Sequence, residues 1–131
     1  MRTLMTQMRV QRLVRLHTEE SARLRGRPFD RGQREAVTRK LLDQVRNIRR
    51  GWLAELAAAD APAPGAAVER QVVRRIVALE AAIAMLALPS ADLDRARAEF
   101  EDAAVPLLLM LRGLDGYAAA ALLGASLPLT A

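Results

Sequence analysis

Arg9, Arg12 and Arg15 recur at three-residue spacing near the start of the chain, and Arg39, Arg46, Arg49 and Arg50 form a second run further on. A guanidinium group is planar and permanently charged, and its fork of donors fits phosphate or carboxylate oxygens two at a time. Placed at about 100° per residue, Arg2, Arg9, Arg12 and Arg23 gather on one side of a first helix, with Arg15 at their edge. Arg39, Arg46, Arg49 and Arg50 cluster on one face of a second helix, with Arg31 near them. Two such faces side by side make a phosphate-binding groove. Arg9, Arg12, Arg15, Arg39, Arg46, Arg49 and Arg50 are therefore the expected nucleic-acid contacts. The overall balance points the same way. Residues 1–60 carry fourteen Arg/Lys against seven Asp/Glu, and residues 61–131 carry six against eight. A folded chain with one basic half presents a positive surface to an anionic partner. Nineteen of the twenty cations are arginine, so the position of each one says more than its identity.

The same arginines can instead form solvated faces balanced within the chain. Glu35–Arg39 at i,i+4 and Asp43–Arg46 at i,i+3 are good helix-surface pairs and would absorb two of them. Arg9, Arg12, Arg15, Arg49 and Arg50 are then left for a ligand. The manner of binding is narrowed by the scarcity of aromatic residues, which are Phe29, Trp52, Phe100 and Tyr117 alone. Binders of single strands usually stack bases on exposed rings, and Trp52 lies in the middle of an apolar stripe. No aromatic RNA-recognition motif or zinc module is present. The expected partner is the backbone of RNA or single-stranded DNA, bound in a salt-sensitive and nearly sequence-blind way.

Other chemistry has little to stand on. His17 is the sole histidine, and Glu20 one turn later could orient it as a general base. It falls on the apolar face of the first helix with no nucleophile near, so a packed histidine is the favoured reading. Glu99, Glu101 and Asp102 lack the spacing of a metal site and read as a solvated acidic face. Phosphate-loop, serine-hydrolase and zinc-protease motifs are absent. The chain is expected to be non-catalytic, with no cofactor and no metal.

An Ala-, Leu- and Arg-rich composition with 3% aromatic residues favours helices, and no strand pattern competes. Helix one is expected over about 3–25, with Val10, Leu13, Val14, His17 and Leu24 inward and a stop at Gly26–Arg27–Pro28. Helix two is expected over 31–59, with Asp30 as N-cap, Gln33 completing a capping box, and a stripe of Val37, Leu41, Val45, Ile48, Trp52 and Leu56. Residues 60–65 read as a linker. Helix three is expected over 66–88, on Val68, Val72, Ile76, Leu79, Ile83 and Leu86. Ser90 is the expected cap of helix four, 91–112, which uses Leu93, Phe100, Leu107 and Leu111. Pro106 should kink or break it. Asp115 should cap a short last helix over 116–125. The fold class is all-α, a compact bundle of four to five helices in one domain.

The absence of cysteine fits a reducing cytoplasm. The arginines that interrupt the N-terminal apolar residues argue against a secretory signal. The uncharged run Gly116–Ala131 is short for a membrane span. The chain is expected to be a soluble cytoplasmic protein. From Ala103 onward, Leu107–Leu111 is apolar around the whole helix, which suits burial against other protein subunits, including further copies of itself.

A helical, cysteine-free, arginine-rich chain of this length resembles the small subunit of multi-subunit CRISPR effector complexes. The resemblance is one of architecture over the whole chain and contains no motif. It implies a non-catalytic subunit of an antiviral ribonucleoprotein, with several copies lining a guide-RNA filament. Arg9, Arg12, Arg15, Arg46, Arg49 and Arg50 would then touch the displaced or target strand. Two other classes use the same features. A structural assembly protein, such as a phage head–tail or scaffold component, would match the arginines to Asp92, Asp94, Glu99, Glu101 and Asp102 of another copy. An adaptor would set them against an acidic protein.

Overall fold

The computed structural model of the protein describes residues 2–58, 65–90 and 92–122, with backbone only for 117–122. It is all-α: α1 Leu4–Leu24, α2 Arg31–Ala57, α3 Ala66–Ala84 with a 3₁₀ turn Met85–Ala87, and α4 Leu93–Leu122. Each helix packs on two neighbours, α1 on α2 and α4, and α3 on α2 and α4. Successive helices run antiparallel. Thr6 meets Glu55 while Glu20 meets Lys40, and Thr3 meets Leu111 while His17 meets Arg97. The result is an up-down-up-down four-helix bundle, in which α1 and α2 form one broad face and α3 and α4 the opposite one.

The core follows the apolar stripes. Val10, Leu13 and Leu24 of α1 and Leu41, Val45, Ile48 and Trp52 of α2 are buried against Val72, Ile76, Leu79 and Ile83 of α3 and Phe100, Leu107 and Leu111 of α4. Asp30 caps α2 by accepting the Gln33 N–H at 3.0 Å. Gly26, at φ 73°, turns the chain out of α1 in a conformation that costs a side-chain-bearing residue. Arg34 is buried and donates to the Leu86 carbonyl at 3.4 Å, placing a cation at the C-terminal end of the α3 segment.

Three expectations change. Helix four does not break at Pro106. It continues as one 30-residue helix to Leu122, and residues 116–122 belong to it. Asp115 caps no last helix, because its carboxylate is turned onto α1, where it accepts from the Thr3 N–H and the Gln7 side chain. Ser90 does not cap α4 either: the Asp92 side chain takes the Asp94 N–H at 2.8 Å and so opens the helix. The expected linker, apart from Gly65, and residues 123–125 of the expected last helix lie outside the described residues.

Candidate nucleic-acid interface

The outward side of α1 carries Leu4, Met8, Arg12, Arg15 and Glu19 at spacings of four, four, three and four residues, all exposed. That of α2 carries Arg39, Asp43, Arg46 and Arg50 at spacings of four, three and four, also exposed. The two rows therefore run along neighbouring helices, each on the side turned away from the core, and the α2 residues that meet α1 are Lys40, Asn47, Gly51 and Glu55. Helical periodicity fixes the outward side of each helix: Val10, Leu13 and His17 mark the inward side of α1, and Leu41, Val45 and Ile48 mark that of α2.

The seven expected contacts divide by what already holds them. Arg9 does not face a ligand. Its guanidinium crosses onto α2 and donates to the Asn47 carbonyl at 2.7 Å, half-buried in the seam between the helices. Arg49 leans towards α3 and pairs with Glu80. Arg46 pairs with Asp43 at 3.5 Å, as its spacing suggests. Arg39 loses the partner its spacing offers, because Glu35 takes Arg31 at 3.0 Å instead. Among the described residues, Arg12, Arg15, Arg39 and Arg50 are in no ion pair. Arg12 and Arg15 border a shallow hollow on α1 with Leu16 and Glu19. The open cationic set is thus four arginines, two on each helix.

At one end of this face the surface becomes apolar. Leu4 is 63% exposed and Met8 60%, with Met5 beside them. Nothing in their residue types marks these three as functional. Their signal in the sequence is the row of outward positions that Leu4 and Met8 share with Arg12 and Arg15.

His17 is fully buried, stacked on Phe100 with ring centroids 4.0 Å apart and 10° between planes. Arg97 donates to its Nδ1 at 2.9 Å, with Ser21 Oγ at 3.3 Å. A guanidinium has no acceptor, so Nδ1 is unprotonated and the proton of the neutral ring sits on Nε2. That atom is buried with no hydrogen-bond partner among the described residues. Burial and the Arg97 charge pull the imidazole pKa down to about 4 against a smaller opposing pull from Glu101. Glu20 does not orient it, since its carboxylate holds the chain's single lysine, Lys40, at 2.7 Å. No group of three or more potential metal-ligating side chains occurs among the described residues, and none of their helices is long and apolar enough to cross a membrane.

Set against known protein families, characterised proteins and solved structures, the chain matches none of them.

Proposed function

We propose that the protein is a non-catalytic subunit that grips nucleic-acid backbone, RNA or single-stranded DNA, with the α1–α2 face, inside a larger cytoplasmic ribonucleoprotein such as a CRISPR effector complex. The carrying observation is that Arg12, Arg15, Arg39 and Arg50 stand exposed on the outward sides of two neighbouring helices and, among the described residues, are in no ion pair. Four guanidinium groups held by rigid helices present a preset array of donors, and each phosphate neutralised releases condensed counterions. Exposed Leu4, Met5 and Met8 at the end of the face supply an apolar edge for a neighbouring subunit.

The alternative, in which these arginines meet the acids of α4 in another copy, is the less favoured. Asp94 already holds Arg25, Glu101 holds Arg97 and Asp92 caps α4, which leaves only Asp102 and the loosely held Glu99 to meet four arginines. The test is fluorescence anisotropy on labelled single-stranded RNA, single-stranded DNA and duplex over a salt series, comparing wild type with an Arg12/Arg15/Arg39/Arg50→Gln variant. Wild type should bind with a negative log–log salt slope. The variant should lose about 0.7–0.9 of that slope for each phosphate contact removed. A folded wild type that binds none of the three at low salt overturns the reading.

A further inference from the structure

On the opposite side of the bundle, a groove of about 590 Å³ runs between α3 and α4. Its α3 wall is Ala78, Ala81 and Ala82 with Arg75, and its α4 wall carries Glu99 and Asp102. Alanines let another backbone approach closely. Leu109, 62% exposed, lies two turns beyond Asp102 on the same side of α4 and adds apolar area outside the groove. Neither Arg75 nor Asp102 is in an ion pair among the described residues, and Glu99 has only Arg95 at 3.5 Å.

From these features we infer that the α3–α4 face is a self-association surface and that its occupant is a second copy of this chain. One wall of the groove is cationic and the other anionic, so the surface is complementary to itself. A two-fold axis laid along the groove sets α3 of each copy over α4 of the other. Arg75 of each then faces Asp102 and Glu99 of its mate, with Leu109 at the edge of the contact. The extent suits a modest dimer. The 19 residues of α3 span about 28 Å and two helices side by side about 20 Å, giving about 550 Å² per copy. About 1,100 Å² in total is at the lower edge of stable interfaces. The α1–α2 faces of the two copies would point away from each other, so this contact does not depend on whether those faces bind nucleic acid.

The test is light scattering after size exclusion at about 0.1 mM protein, where a weak dimer is populated. Wild type is expected at twice the 14.3 kDa of one chain. Arg75→Glu and Asp102→Arg, each alone, should return it to one chain's mass. A 1:1 mixture of the two variants should regain twice that mass. In the mixed pair the carboxylate introduced at position 75 of one chain faces the guanidinium introduced at position 102 of the other. The second contact of that pair is the unaltered one, Arg75 against Asp102. Regained association in the mixture also shows that both variants are folded. A wild type that stays at one chain's mass, single variants that associate as wild type does, or a mixture that does not associate overturns the inference. Failure here would leave the salt-slope result on the other face unaffected.

Discussion

Arg9 lies across α2 at Gly51, in the space that any side chain there would fill. A Cβ at Gly51 would sit 2.9 Å from the Arg9 guanidinium and 3.3 Å from its Cδ. Glycine in the middle of a helix costs about 1 kcal/mol relative to alanine, and here the close crossing of the arginine offsets that cost. Gly51→Ala should therefore fall within about 0.5 kcal/mol of neutral, because the helix gain is set against an Arg9 tip that must swing off the Asn47 carbonyl. In an Arg9→Ala background the same substitution should be stabilising by up to about 1 kcal/mol. A double-mutant cycle in urea reads the difference between the two backgrounds, and equal effects in both would refute the coupling.

Arg9 and Arg49 serve the bundle, while Arg12 and Arg50 face outward. Arg9→Ala should lower the denaturation midpoint and leave any salt slope of nucleic-acid binding unchanged. Arg12→Ala should do the reverse, with stability within about 0.5 kcal/mol of wild type. Chemical denaturation and anisotropy on the same two variants check both halves.

The buried imidazole makes stability depend on pH. Unfolded, His17 takes a proton near pH 6.5, and folded it does so only at about 4. Between those values the unfolded chain binds more protons. Its contribution is fully present above 6.5 and is lost as the pH falls towards 4, by something of the order of 3 kcal/mol. Protonation would also set an imidazolium against Arg97 and end the bond at Nδ1. His17→Leu should flatten the stability profile across that window. An unchanged slope in denaturant titrations would assign the acid sensitivity elsewhere.

The opening turn of α1 is capped from other helices. Glu55 of α2 accepts the Thr6 N–H at 3.1 Å and its hydroxyl at 2.7 Å, and Asp115 of α4 takes the Thr3 N–H and the Gln7 amide. Negative charge at a helix N-terminus is favourable in itself. Asp115→Ala and Glu55→Ala should each cost about 1–3 kcal/mol, most of it from buried donors left without acceptors. Thermal melts of the two variants test this, and a loss under about 0.5 kcal/mol would count against it.

Much of the fold is legible in the sequence because apolar spacing and local caps act within a few residues. The stripe from Val37 to Trp52 is buried as its periodicity predicts, and Asp30 caps α2 through Gln33. What escapes is decided at long range. Thr3, Thr6 and Gln7 are buried polar residues whose partners lie 49 to 112 residues away. Arg9 and Arg12 share a side of the helical wheel, and only the position of α2 separates a packing arginine from an open one. Glu35 has an arginine four residues before it and another four after, and spacing alone does not choose between them.

Pro106 shows how far packing overrides a local rule. It offers no N–H to the Asp102 carbonyl and its ring crowds that group, yet α4 runs through it between α1 and α3. Pro106→Ala should raise stability by about 1–3 kcal/mol. No gain in melting temperature would mean that the packing around Pro106 already offsets its cost.

The capping of α1 by Asp115 also sets an order of events during synthesis. α1 leaves the ribosome well before α4, so its first turn emerges with its N–H groups open and waits for a carboxylate 112 residues downstream. The lower part of α1 can settle on α2 much sooner, through Glu20 and Lys40 only 20 residues apart. Thr3 and Gln7 are made before α2, α3 and α4, and they wait for the last of these to reach their final partners.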